Sequence, residues 1–274
     1  MNSNTNISNP EDPEIFVCSR ISLFFWESTA PSDRACLLLH GLGGGVYEME
    51  LLGRSLYQRG LTVQGINYPG HDRPVSKMPA STWEQWYAHV LDTYLSLRQR
   101  YRQVTVVGFS TGCLLGLHLA TTYPVQQLVL LSPYLAIKHQ WYYLFRPEAY
   151  LFSLGQLIED VPRFHLPIRD RSMQAAAEQV IFYKTFNLKA VRSTSQLIQK
   201  VKSALPQVQT PTLIIQPRRD SVVEPWGAVF IQENLGSAVK SLSWLEQSDH
   251  IIPLDLERES VFEQVGTFLE IASN

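Results

Sequence analysis

Residues 104–112, Val104-Thr105-Val106-Val107-Gly108-Phe109-Ser110-Thr111-Gly112, decide the fold of this chain. An apolar, β-branched run ends in Gly-x-Ser-x-Gly, and a helical-looking stretch, Cys113 to Tyr123, follows. A serine placed this way between a strand and a helix occupies a sharp, strained turn that presents its hydroxyl at the strand end. The two glycines are needed because a Cβ at either position would clash across the turn. The pattern alone is weak. Its flanking elements and the residues downstream give it weight.

Those residues come in order. The apolar run Thr212-Leu213-Ile214-Ile215 ends in Gln216-Pro217-Arg218-Arg219-Asp220, and Ser241 to Leu245 ends in Glu246-Gln247-Ser248-Asp249-His250. An acid and then a histidine each follow a candidate strand. Ser110, Asp220 and His250 therefore read as nucleophile, acid and base. A serine hydroxyl is a poor nucleophile until a base takes its proton, and imidazole is that base near neutral pH. The carboxylate fixes the tautomer and stabilises the imidazolium. Asp249 is a rival acid, but a residue next to the histidine cannot easily reach that ring's Nδ1. Glu224 is a weaker rival.

Ala35-Cys36-Leu37-Leu38-Leu39 reads as a buried strand running into His40-Gly41-Leu42-Gly43-Gly44-Gly45. Such a turn can aim one backbone N–H at a developing oxyanion, and the residue after the nucleophile supplies the second. These would be Leu42 and Thr111. The dinucleotide spacing Gly-x-Gly-x-x-Gly fails, since Val46 stands where its third glycine belongs. His40 reads as a brace of the turn. His71 follows Tyr68-Pro69-Gly70 and lines the pocket or holds a loop. His89, His118, His139 and His165 are isolated.

His40-Gly41, Tyr68-Pro69-Gly70-His71, Gly108 to Gly112, Asp220-x-Val222-Val223-x-Pro225 and Asp249-His250 together resemble the bacterial carboxylesterase and monoacylglycerol lipase branch of the α/β-hydrolases. The resemblance spans nearly the whole chain after its first dozen residues. It departs at Asp72, where a further glycine is usual. It implies an α/β-hydrolase fold, a mostly parallel sheet with helices on both faces, and hydrolysis of carboxylic esters through an acyl-enzyme. Short- to medium-chain acyl esters or monoacylglycerol-like substrates fit that branch. Two alternatives stay open: a thioesterase or C–C bond hydrolase with the same triad, and a non-catalytic ligand-binding protein on this scaffold.

The alternation of strands and helices supports a parallel sheet covered on both faces. It runs through Leu61 to Ile66, Trp83 to Arg98, 103–108, 111–123 and 127–132, and resumes at Thr212. Residues 14–133 and 209–274 form the expected core, after a flexible tail over 1–13. Between them, 134–208 holds helical stretches at Ser172 to Phe186 and Thr194 to Ala204. It also holds an aromatic cluster that includes Trp141, Tyr143, Phe145 and Phe152. In this fold such an insertion lies over the active site, so it is expected to be a mainly helical cap. Gly41, His71, Trp141 and Phe145 are its candidate substrate-binding neighbours. Basic residues outnumber acidic ones in it, ten to five.

The chain of 274 residues carries a formal charge of −2, which leaves no electrostatic footprint for nucleic acid. No stretch is long and apolar enough for a membrane span. Residues 1–13 lack the basic and apolar segments of a signal peptide. Three cysteines with no metal-ligand spacing fit a reduced, cytoplasmic setting. Neither a metal nor an organic cofactor is expected, and the partner is a small-molecule ester.

Overall fold

The computed structural model describes residues 23–30, 32–73, 75–138, 158–180 and 183–271. Its main sheet is built from β1 (Phe24–Trp26), β2 (Arg34–Leu39), β3 (Thr62–Ile66), β4 (Gln103–Phe109), β5 (Leu128–Leu131), β8 (Thr212–Pro217) and β9 (Lys240–Leu245). The spatial order is β1-β3-β2-β4-β5-β8-β9. β1 pairs antiparallel with β3, and every other pairing is parallel.

The central strands are mostly apolar because both of their faces are buried. Side chains alternate between the two faces. In β2, Leu37 and Leu39 join one core, while Cys36 and Leu38 join the other. β5 repeats the pattern with Leu128 and Leu130 against Val129 and Leu131. The first core is closed by α2 (Trp83–Arg100), α3 (Thr111–Ala120) and α6 (Trp226–Asn234). The second is closed by α1 (Tyr47–Gln58) and α7 (Arg258–Ile271). Each fully buried leucine contributes about 2 kcal/mol of transfer free energy.

From β2 the chain goes to β3 on one side, and later to β4 on the other. The sheet order reverses there, leaving a crevice at the carboxyl ends of β2 and β4. The turn at His40 and the turn at Ser110 therefore emerge side by side, with Leu39 in register with Gly108.

Between β5 and β8 lie β6 (Asp160–Pro162), α4 (Arg171–Val180), β7 (Thr185–Asn187) and α5 (Leu188–Ala204). The helix expected over Ser172 to Phe186 is thus shorter. Thr185 and Phe186, β-branched and aromatic, pair antiparallel with Pro162 and Val161 instead. Asn187 ends that strand, and its side chain accepts Lys189 N–H and Ala190 N–H as the N-cap of α5. This cap explains why α5 begins at Leu188 rather than near Thr194. α3 likewise stops at Ala120, short of Tyr123, where Thr121 turns its hydroxyl back to the His118 carbonyl. Residues 1–13, Trp141 and Phe145 lie outside the described residues.

Candidate active site

Ser110 stands between β4 and α3 with φ 52° and ψ −112°, a conformation that costs a non-glycine residue on the order of 1–3 kcal/mol. The surroundings hold it there. Ser110 N–H donates to the Leu131 carbonyl at 2.8 Å, and the Ser110 carbonyl accepts from Cys113 N–H. A Cβ on Gly108 would lie 2.5 Å from the Gly112 backbone, as expected across so tight a turn. On Gly112 it would lie 2.3 Å from the Leu39 carbonyl oxygen. The second glycine thus lets α3 close onto the end of β2 rather than onto its own turn.

His250 Nε2 lies 3.0 Å from Ser110 Oγ, and His250 Nδ1 lies 2.8 Å from Asp220 Oδ2. All three residues are buried. Burial pushes the Asp220 carboxyl up, but the His250 ring and the N–H groups of Val222 and Val223 outweigh it, and the net shift is downward. A carboxylate ionised in this way orients Nδ1–H and leaves the Nε2 lone pair facing the serine. Asp249 plays a different part from Asp220. Its Oδ1 accepts Ser221 N–H and its own neighbour's His250 N–H, each at 2.8 Å, so it ties the two loops together. Ser132, itself at φ 49°, donates its hydroxyl to the His250 carbonyl at 2.8 Å.

The turn after β2 is gripped from several sides. Gly41 N–H donates to Glu48 Oε2 at 3.0 Å, and His40 Nδ1 holds the Gly41 carbonyl at 2.7 Å. Gly43 N–H donates to His71 Nε2 at 3.0 Å, and Arg163 Nη1 donates to the Gly43 carbonyl at 2.7 Å. Burial lowers the His71 pKa to about 4 and puts His40 well below the usual histidine range. Both rings are neutral at pH 7; His40 spends both nitrogens on backbone groups, and His71 spends its Nε2 on Gly43 N–H. Among the described residues, Leu42 N–H is the one N–H of residues 41–43 that no group in the fold takes. Thr111 N–H heads α3, where the first-turn amides have no partner within the helix.

One protein family, described as serine aminopeptidase, S33, matches residues 30–257. The chain belongs to this family. It is 28% identical to a carboxylesterase of Bacillus subtilis (strain 168) over 239 residues, covering 87% of this chain and 93% of that protein. It is 26% identical to a thermostable monoacylglycerol lipase of Bacillus sp. (strain H-257) over 229 residues, covering 83% and 87%. A solved structure from work on LipS and LipT, two metagenome-derived lipolytic enzymes, superposes with a TM-score of 0.81 at 25% identity, covering 92% of this chain and 98% of that one. The monoacylglycerol lipase of Paleococcus ferrophilus shares the fold, with a TM-score of 0.75 at 18% identity over 92% and 99% of the two chains.

An apolar cluster packs on the turn after β2 in this S33 hydrolase. Leu188 and Val191 of α5 are buried, and Leu42, Ile137, Val161 and Phe186 pack against them. Sequence reasoning passed over Glu48, Arg163 and Phe186. Glu48 looks like an ordinary acidic residue in the first turn of a helix, and nothing in the pattern around Arg163 says that it returns to Gly43. No group of three His, Cys, Asp or Glu side chains among the described residues could hold a metal ion. No described helix is long and apolar enough to cross a membrane.

Proposed function

We propose that the protein hydrolyses carboxylic esters through an acyl-enzyme on Ser110. The observation that carries this is the continuous relay from Asp220 Oδ2 through His250 to Ser110 Oγ. Ser110 Oγ attacks the ester carbonyl while His250 Nε2 takes its proton. Asp220 stabilises the imidazolium that forms. The N–H groups of Leu42 and Thr111 hold the negative oxygen of the tetrahedral intermediate. His250 then protonates the leaving alcohol, and a water activated by the same ring releases the acid. Side chains and backbone supply every group in this route, so it uses neither metal nor cofactor.

We read 134–208 as a cap and the wall of Ile137, Val161, Phe186, Leu188 and Val191 as the seat of the acyl chain. Short- to medium-chain acyl esters and monoacylglycerol-like substrates suit such a wall, and the relatives' names point the same way. The buried free thiols Cys36 and Cys113 fit a cytoplasmic protein.

The deciding experiment sets p-nitrophenyl esters of increasing chain length beside a thioester, a vinylogous diketone and an aminoacyl p-nitroanilide. The last covers the peptidase that the family description names. Esters are expected to give the highest kcat/KM. Preferred cleavage of another bond type would move the reaction class while keeping the nucleophile. A wild-type protein that no fluorophosphonate labels would remove the catalytic reading altogether.

A further inference from the structure

The oxyanion turn is held partly by residues from outside the sheet that carries it. Gly43 has φ +66°, and a Cβ there would lie 2.7 Å from the Phe186 ring. Phe186 belongs to β7 and packs directly over that glycine. The Arg163 guanidinium stacks on the same ring, 5.2 Å from its centroid, and donates to the Gly43 carbonyl. Arg163 N–H is itself fixed to the Lys184 carbonyl at 2.8 Å, just before β7. The small sheet β6–β7 therefore presents Arg163 and Phe186 as one rigid face. From below, His71 holds Gly43 N–H and Glu48 holds Gly41 N–H. The Arg163 charge also acts on the Glu48 carboxyl. Leu42 lies between these two anchored glycines.

We propose that Arg163 is a positioning residue for catalysis, which locks Gly43 so that Leu42 N–H is aimed at the oxyanion. This rests on the functional reading above and adds a dependence. The segment that shapes the acyl site also completes the electrostatic one. Seating β6–β7 on the turn assembles the oxyanion donors, and lifting it leaves Gly43 free to rotate with Leu42. A displaced donor loses much of its effect, because the interaction is worth most when it is aimed in advance. Arg163 touches neither nucleophile nor base, so its loss should leave Ser110 activated but poorly assisted.

The test compares wild type, Arg163→Met and Arg163→Lys. Methionine keeps an apolar stem against Phe186 and removes the donor. Lysine keeps a donor and the charge. Two readouts are taken: kcat and KM for p-nitrophenyl butyrate, and the second-order rate of labelling by a fluorophosphonate, whose P=O oxygen occupies the same hole. For Arg163→Met, kcat and the labelling rate should each fall by about 10- to 100-fold, less than the loss of a whole oxyanion donor, with KM within about twofold. Arg163→Lys should recover most of the loss. If Arg163→Met does not fold, Glu48→Gln takes its place. It keeps an acceptor for Gly41 N–H, removes the charge that Glu48 carries beside Arg163 above about pH 7, and should lower both rates several-fold at pH 8. Wild-type labelling and kcat in folded Arg163→Met, or a change confined to KM, would overturn the proposal alone. An unlabelled wild type would overturn the functional reading with it.

Discussion

Replacing Asp220 with Asn should lower kcat by about 10⁴, as the equivalent change does in a serine protease. The reason lies in which oxygen the amide can keep. Asp220 Oδ1 accepts two backbone donors, Val222 N–H at 2.8 Å and Val223 N–H at 2.9 Å. Asp220 Oδ2 accepts the Gln216 side-chain amide at 3.1 Å and faces His250 Nδ1 at 2.8 Å. An NH2 at the first site would meet two N–H groups fixed by the turn. It is therefore forced to the second. A flip of the Gln216 amide would bring its partnerless Oε1 to face that NH2, at the cost of the hydrogen bond from its Nε2 to the Pro217 carbonyl. His250 must then accept at Nδ1, and its proton moves to Nε2. A ring with Nε2–H facing Ser110 cannot take the serine proton. The expected loss corresponds to roughly 5 kcal/mol of transition-state stabilisation. The assay is kcat for p-nitrophenyl butyrate beside the fluorophosphonate labelling rate, with thermal unfolding as the control for fold. A folded Asp220→Asn within tenfold of wild type would refute the tautomer argument and reopen the choice of acid.

Three further outcomes follow from the same geometry. Asp249→Asn should stay within about tenfold of wild type in kcat, since the amide oxygen can still accept from Ser221 and His250 N–H; a loss as large as that of Asp220→Asn would show that the wrong acid has been assigned. Phe186→Ala should shift the preferred acyl length among p-nitrophenyl acetate, butyrate, octanoate and palmitate, and an unchanged profile would place the acyl chain elsewhere. Glu48→Gln should become more stable relative to wild type as pH rises. Burial lifts the Glu48 pKa to about 7 from an ordinary value of 4.5, so the folded state keeps a proton that the unfolded chain releases, and wild type loses stability across that window. The gap should approach about 3 kcal/mol above pH 8. Urea unfolding at pH 5 and pH 8 measures it, and a gap independent of pH would show that Glu48 ionises freely.

The convergence of Ser110, Asp220 and His250 was legible in the sequence because each follows its own strand, β4, β8 and the partly buried β9. A parallel sheet puts all such strand ends on one edge, so three sites far apart in sequence must converge. The separation of Asp249 from Asp220 was legible for a simpler reason, the short reach of a side chain back to its neighbour's ring. Arg163 was not legible. Its role depends on β6 and β7, three residues each, whose pairing is non-local and too short to give a period-2 signal. Phe186 sits in a stretch whose composition reads as helix until Asn187 caps the next one. Glu48 was hidden differently. Its position in the first turn of α1 has an ordinary explanation, and only the fold brings its carboxylate under Gly41.

The chain leaves the sheet at β5 and re-enters it at β8, and these two strands are direct neighbours, with Leu128 opposite Thr212. An excursion whose two ends meet on adjacent strands behaves like a plug in a socket. Its length and sequence can change without sliding any rung of the ladder beneath it, and loop closure grows costlier only slowly with length. That segment can therefore vary while Ser110, His250 and Asp220 keep their places on the sheet. The contact to the Gly43 carbonyl limits that freedom. A replacement segment grafted between β5 and β8 would have to bring its own donor to that oxygen, and grafts could be screened for one before they are built.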